Sequence, residues 1–320
     1  MKKLKLGVLY GGKSAEHEVS LNSAKNVIKA LDTKKYAVTP IKINKNGKFD
    51  LDSLKKFDVI FPVLHGPYGE DGSVQGLLKL SEVPFVGASV LGSAVGMDKD
   101  VMKRLLRDAG VPIGKFITLK TGEKVDFNKI VKELGWPMFV KPANMGSSVG
   151  VSKAKNEKEL KKAIKTAFLY DHKIIVEEFI DGHEVETAVL GNDVAMASVP
   201  GEIKAGQEFY SYDAKYIDDT SVVEIPAKFD AKVLKRVQEL AVQTFQVLNC
   251  EGLGRVDSFV TKDGKVFVNE INTLPGFTDI SMYPKLWEAS GLTQVKLLDR
   301  LIELALERFE KEARLKTSFN

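Results

Sequence analysis

Apolar positions in this chain repeat with two periods, and the switches between them mark out its elements. Residues 4–10 form a short apolar run, partly alternating with polar residues and ending at Gly11-Gly12, the pattern of a strand. Leu21, Ala24, Ile28 and Leu31 then recur at helical spacing, and Tyr36–Ile43 and residues 58–63 read as further strands. This β-α-β alternation predicts a parallel sheet with helices on its faces. A helix over 97–109 follows, closed by Gly110 and then Pro112, and a domain boundary falls just before it. Residues 115–119, 138–141, 149–153 and 174–178 are strand-like. Between the last two, Asn156 with Glu159 three residues on suggests a capping box. The helix it opens shows Leu160, Ala163, Ile164, Ala167 and Phe168 on one face.

Beyond His183 come strands over 184–190 and 194–199, then a polar, tyrosine-rich stretch at 205–221. A long helix capped by Asp230 shows Val233, Leu234, Val237, Leu240, Ala241 and Phe245 on one face. A hairpin over 255–260 and 265–271 turns on Lys262-Asp263-Gly264, and an amphipathic helix runs from about Leu292. The fold class expected is α/β and α+β, in three units at 1–97, 98–182 and 183–320.

Composition narrows the classes. At 320 residues and 44% hydrophobic, the chain suits two or three domains with sizeable cores. Its net charge of +4 comes from lysines scattered over helix faces, not from a basic stripe, so no nucleic-acid partner is expected. No stretch approaches the roughly 20 apolar residues of a membrane span, and a soluble cytoplasmic protein is expected. The single cysteine, Cys250, follows a helical run and reads as a buried small hydrophobe.

One motif matches on paper only. Gly7-Val8-Leu9-Tyr10-Gly11-Gly12-Lys13-Ser14 satisfies the P-loop pattern, but Val8, Leu9 and Tyr10 are strand residues where a phosphate loop should lie. The competing reading makes Gly11-Gly12 a tight turn that presents a helix N-terminus to a ligand.

Four other stretches converge on nucleotide and metal chemistry. Lys141 opens a glycine- and serine-rich loop, Gly146-Ser147-Ser148-Val149-Gly150, whose backbone N–H groups suit phosphate oxygens; a plain hairpin would look the same. Glu177-Glu178-Phe179-Ile180 sets an aromatic face and carboxylates at a strand end, suited to adenine and ribose, though an ordinary strand end shares the pattern. Asp257 on one strand can face Glu270 and Asn272 on the next, the latter two sharing a face by period-two geometry. Two carboxylates and an amide make a hard oxygen site for Mg²⁺, and Arg255 falls on the same face. Directly afterwards, a loop with Gly276, Ser281 and Met282 is placed to meet a substrate.

In this order and over this length, these stretches resemble the ATP-grasp superfamily, and within it the D-alanine–D-alanine ligases. Gly11 to Ser20, Leu64 to Gly72, Met97-Asp98-Lys99, Tyr212 to Tyr216 and Gly254 to Asp257 carry the likeness along the chain. The resemblance implies a three-domain ATP-grasp architecture with an N-terminal parallel-sheet domain and ATP between the other two. It implies that Lys99, Lys141 and Ser148 meet ATP phosphates, with Lys215 reaching the γ-phosphate from a mobile loop at 205–221. Glu177, Glu178, Phe179 and Ile180 would hold adenine and Glu184 the ribose. Asp257, Glu270 and Asn272 would bind two Mg²⁺, replaceable by Mn²⁺, and a monovalent cation such as K⁺ would be a further cofactor. Glu16 would receive the ammonium of the first D-alanine beside Val19 and His65. Ser281 and the Met282 backbone would take the carboxylate of the second. Ser147 and Tyr216 would hydrogen-bond with Glu16 to close the lid, while Arg255 and the Gly276 N–H would stabilise the oxyanion.

The implied partners are two D-alanine molecules and ATP, in a homodimer that makes a peptidoglycan precursor. Tyr216 stands where ester-forming relatives carry another residue, which implies an amine nucleophile. Phe179 replaces a tryptophan common in relatives, and the 277–280 stretch differs from other versions of the substrate loop. Three alternatives stay open: another ATP-grasp carboxylate–amine ligase, a non-catalytic nucleotide-binding regulator, and a P-loop enzyme using Gly12, Lys13 and Ser14.

Overall fold

The computed structural model describes residues 2–47, 52–204, 222–316 and 318. The N-terminal sheet is built from β1 (Leu4–Gly11), β2 (Tyr36–Ile43) and β3 (Val59–Pro62), all parallel in the order β2-β1-β3. α1 (His17–Ala30) makes the crossover, buries Ala24 and Val27, and so covers one face. Central β1 buries Leu6, Val8 and Leu9 completely because it is covered on both sides. Three helices follow: α2 (Ser73–Leu80), α3 (Val90–Met97) and α4 (Lys99–Asp108).

The helix expected over 97–109 is α4, which begins two residues later; α3, not expected, precedes it across a break at Asp98. That residue is extended, and its carboxylate accepts from the Asp100 and Val101 N–H groups, capping α4.

A second sheet comprises β4 (Phe116–Lys120), β5 (Met138–Pro142), β6 (Ser152–Ala154) and β7 (Lys173–Glu178), antiparallel throughout in the order β4-β7-β5-β6. α5 (Phe127–Leu134) and α6 (Glu157–Ala167) pack against it. Asn156 caps α6 by accepting from the Glu159 N–H. Glu159 reaches back one residue further than a capping box requires and accepts from the Lys155 N–H at 2.8 Å.

The third sheet holds β8 (Gly182–Gly191), β9 (Ala195–Ala197), β10 (Gly201–Lys204), β11 (Val222–Glu224), β12 (Gly252–Thr261) and β13 (Val266–Asn272). Its order is β11-β10-β8-β12-β13, with β9 alongside β8. α7 (Ala231–Val247) covers one face; Asp230 is its N-cap by position but makes no side-chain capping bond. α8 (Met282–Ala289) and α9 (Gln294–Ala313) follow.

The cores join these units unequally. Leu6 and Phe61 of the first sheet and Val27 of α1 pack with Phe277, Tyr283, Leu298 and Leu301, so the two ends of the chain share one core. Arg308 of α9 reinforces that junction by donating to the Gly87 and Phe85 carbonyls at 2.5 and 2.8 Å. Met102 and Leu106 of α4 pack with Val237, Leu240 and Phe245 of α7, although the boundary drawn from the sequence gives α4 to the central unit. The second sheet keeps a separate core of Met138, Val140, Leu160, Ile164 and Val176. Cys250 is buried, as expected, and burial pushes its thiol up to about 12.

Candidate active site

A cleft of about 930 Å³ lies where the three sheets meet, lined by Glu16, Lys99, Lys141, Ser147, Arg255 and Glu270 among others. Its acidic wall comes from strand register. β12 and β13 pair Asp257 with Glu270 and Arg255 with Asn272, while β8 pairs Glu186 with Asp257. Directly paired residues share a sheet face, so Glu186, Asp257 and Glu270 form one row and Arg255 and Asn272 the next. Arg255 donates through Nε and Nη2 to both oxygens of Asp257, at 2.8 Å each, and its Nε lies 3.0 Å from Glu186 Oε2. Asn272 Nδ2 donates to Asp257 Oδ2 at 3.0 Å. Asp257 is thus 1% exposed, beneath Arg255 and Asn272.

The donor set fits magnesium. Among the described residues, no three His, Cys, Asp or Glu side chains are grouped to hold a metal by themselves. Two carboxylates with an amide oxygen instead need completion by phosphate oxygens and water, which is how Mg²⁺ is usually bound.

The opposite wall is cationic. Lys141, at the end of β5, lies 2.6 Å from Glu177 Oε2 on β7, and Lys103 of α4 lies 2.7 Å from Glu177 Oε1. Lys103 and Glu177 are nearly inaccessible to water, and Lys141 is mostly buried. Burial alone would raise the Glu177 carboxyl; the charges of Lys103 and then Lys141 outweigh it and hold the group at about 2. Burial likewise works against the Lys141 ammonium, but Glu177 and Glu270 raise it above the usual lysine value. Lys99 opens α4, donates to the Met145 carbonyl at 3.0 Å and lies 3.4 Å from Glu270 Oε2. Its backbone N–H donates to the Ala143 carbonyl at 3.0 Å, and the neighbouring Asp98 receives Lys173 Nζ at 2.5 and 2.7 Å.

The loop after Lys141 is strained where it matters. Ser147 and Ser148 both adopt left-handed φ values, 49° and 59°, at a cost on the order of 1 kcal/mol or more each. That conformation turns the Ser147 hydroxyl to donate a short hydrogen bond to Glu16 Oε1, 131 residues away. Gly146 brings backbone so close that a Cβ there would lie 3.0 Å from Glu16 Oε2. Glu16 is the N-cap residue of α1, yet its carboxylate caps nothing and points into the cleft. Behind it, His65 Nε2 lies 3.1 Å from Ser23 Oγ and its Nδ1 3.2 Å from the Leu274 carbonyl. Burial disfavours the charged ring, but the Glu70 carboxylate and then Glu16 outweigh it and raise its pKa.

The remaining expected residues are distributed unevenly. Phe179 and Ile180 line the cleft, with Lys153 Nζ 4.4 Å from the Phe179 ring centroid. Glu178 also lines the cleft, and its carboxylate accepts from the Lys115 N–H at 2.7 Å. Glu177 is held between its lysines. Glu184 and Val19 line the cleft, as do Ser281 and Met282 at the N-terminus of α8. First-turn N–H groups lack partners within a helix and suit a carboxylate, although Ser281 Oγ already accepts from the Thr278 N–H at 2.9 Å. Gly276 brings its backbone against that hydroxyl. Tyr216 and Lys215 lie outside the described residues. Sequence reasoning missed Glu186, two residues from Glu184 on the same face, and Lys103, one helical turn from Lys99.

The P-loop alternative fails on geometry. β1 runs through Val8, Leu9 and Tyr10 to Gly11, so no loop follows Gly7. Gly11 and Gly12 turn at φ values of 94° and 91°, Lys13 Nζ rests 5.7 Å from the Tyr68 ring centroid, and the Ser14 hydroxyl donates to the His65 carbonyl.

Comparison with known proteins places the whole chain in one family. Residues 105–303 match the family described as "D-ala D-ala ligase C-terminus", and residues 5–55 and 49–88 match "D-ala D-ala ligase N-terminus". The chain belongs to the D-alanine–D-alanine ligase family. D-alanine–D-alanine ligase of Oceanobacillus iheyensis is 49% identical, with 99% of each chain covered. Ligase A of Escherichia coli K12 is 47% identical over 99% of this chain and 100% of its own. Among solved structures, the Coxiella burnetii ligase superposes with a TM-score of 0.86 at 39% identity, covering 98% of both chains. The Bacillus anthracis ligase complexed with ATP gives 0.85 at 33%, covering 97% of this chain and 99% of that one. These neighbours fix the architecture as ATP-grasp.

Proposed function

We propose that this chain joins two D-alanine molecules into D-alanyl-D-alanine, consuming ATP and releasing ADP and phosphate. The hydrogen bond from Ser147 to Glu16 carries the reading: it brings an amino-acid-binding carboxylate to the rim of a phosphate-binding loop. A carboxylate is a poor acyl donor, so the first D-alanine is activated by transfer of the γ-phosphoryl group to its carboxylate oxygen, giving D-alanyl phosphate. Glu16, with Val19 and His65 beside it, takes the ammonium and orients that carboxylate. Lys99, Lys141 and the Ser148 backbone hold the nucleotide's phosphates, joined by Lys215. Positioning and electrostatics dominate such a transfer. Asp257, Glu270 and Asn272 would hold two Mg²⁺, which supply neutralising charge to the phosphates, with Mn²⁺ an acceptable substitute and K⁺ a further cofactor.

The amine of the second D-alanine, its carboxylate held at Ser281 and Met282, then attacks the acyl carbon. Arg255 and the Gly276 N–H stabilise the oxyanion of the tetrahedral intermediate, whose collapse expels phosphate. Phe179, Ile180 and the backbone of Glu177 and Glu178 hold adenine, with Glu184 at the ribose. Tyr216 in loop 205–221 joins Ser147 and Glu16 to exclude water, which would hydrolyse the acyl phosphate. The units 1–97, 98–182 and 183–320 act as first-substrate, nucleotide and metal domains of a cytoplasmic homodimer making a peptidoglycan precursor. No helix among the described residues is long and apolar enough to cross a membrane.

A second substrate choice has a specific basis. The VanG D-Ala:D-Ser ligase of Enterococcus faecalis superposes at a TM-score of 0.87 with 37% identity, covering 95% of this chain and 100% of that one. Phosphate release from Mg-ATP should therefore be followed with D-alanine, L-alanine, D-lactate or D-serine. Release with D-alanine alone, matched by an equal amount of dipeptide, is the expected result. Turnover requiring D-serine as the second substrate would move the chain to the other ligase type.

A further inference from the structure

Lys103 has no part in the reaction as described, yet this lysine is only 2% exposed. It follows Lys99 by one turn of α4, so both lysines point to the same side of that helix. Its ammonium lies 2.7 Å from Glu177 Oε1, while Lys141 lies 2.6 Å from Oε2 and donates to Asn269 Oδ1 at 3.3 Å. Two ammoniums thus share the Glu177 carboxylate, and Glu270 acts on Lys141 as well. Burying a lysine is costly even when it is paired, and a methionine would fill the same space without a partner. Without Lys103, Glu177 would bear on Lys141 alone, and less of that lysine's charge would reach the cleft. We infer that Lys103 is a positioning residue: it balances Glu177, so that the charge of Lys141 remains available to an anionic nucleotide. The inference deepens the reading of this cleft as an ATP site and rests on it.

The test is a double-mutant cycle on the full chain, measuring affinity for a non-hydrolysable Mg-ATP analogue by calorimetry. K103M should weaken binding about tenfold or more, the scale of one charged hydrogen bond. In an E177Q background, where no carboxylate remains to be balanced, the same substitution should matter within about threefold. K103R should bind nearly as wild type, and the KM for D-alanine should not move in K103M or K103R. Melting curves check folding, and K103Q replaces K103M if the methionine variant unfolds. Equal losses in both backgrounds would mean that Lys103 only packs, and the inference falls. A wild-type chain that binds no analogue overturns the ATP reading itself and the inference with it.

Discussion

The two charged walls of the cleft use similar side chains in opposite proportion. On one side, two lysines meet a single carboxylate, Glu177. On the other, Glu186, Asp257 and Glu270 stand in a row against one arginine, with Lys99 at the edge. The first wall carries surplus positive charge and the second surplus negative, and both are partly shielded from water, where charges act more strongly than in bulk. A polyphosphate and a cation that bridges it fit between them; a neutral ligand would not need either imbalance.

The largest effect should come from breaking the acidic wall at its centre. Asp257→Asn should lower kcat by at least about 10²–10³, the scale of one lost electrostatic contact to the reacting groups. Phosphate release against magnesium concentration measures it, and a loss below tenfold would place the metal elsewhere. Glu186→Gln should cost less, about 10–100-fold in apparent metal affinity, because Arg255 would then have only Asp257 to pair with. Mn²⁺ binding followed by paramagnetic resonance reads that affinity without turnover. Ser147→Ala should act on neither wall. It should raise the KM for the first D-alanine up to about tenfold, since it removes one hydrogen bond to Glu16.

The cationic wall should also show in acid. The Glu177 carboxyl falls from its ordinary 4.5 to about 2 in the folded protein, so its stabilisation is fully present above 4.5 and fades as pH drops towards 2. Thermal melts between pH 6 and 2.5 should show this fall in wild type and a shallower one in Glu177→Gln. The smallest effect belongs to Cys250, whose raised pKa should leave it unreactive to thiol reagents until the chain unfolds.

Much of this was legible before the structure. The parallel N-terminal sheet and the Asp257, Glu270 and Asn272 face follow from period-two and period-3.6 patterning, which is local. What escaped depended on contacts made far along the chain. α3 carries Gly92 and Gly96, poor helix formers; a Cβ at Gly92 would meet the Asn249 carbonyl at 2.6 Å, and one at Gly96 would meet Thr273. α8 holds Pro284, tolerated only because it lies in the first turn. Glu186 joins the acidic row through a neighbouring strand 71 residues away, and Lys103 finds Glu177 across 74 residues. The sharing of one core by the two chain ends is likewise invisible to a window of a dozen residues.

The central claim is that the cleft activates a carboxylate by phosphorylating it. D-alanine labelled with ¹⁸O in its carboxylate tests this most directly, with mass spectrometry of the phosphate released from unlabelled ATP. One ¹⁸O atom should appear in phosphate for each dipeptide formed, because the bridging oxygen of D-alanyl phosphate leaves with phosphorus. Dipeptide formed with no label in phosphate would contradict the account.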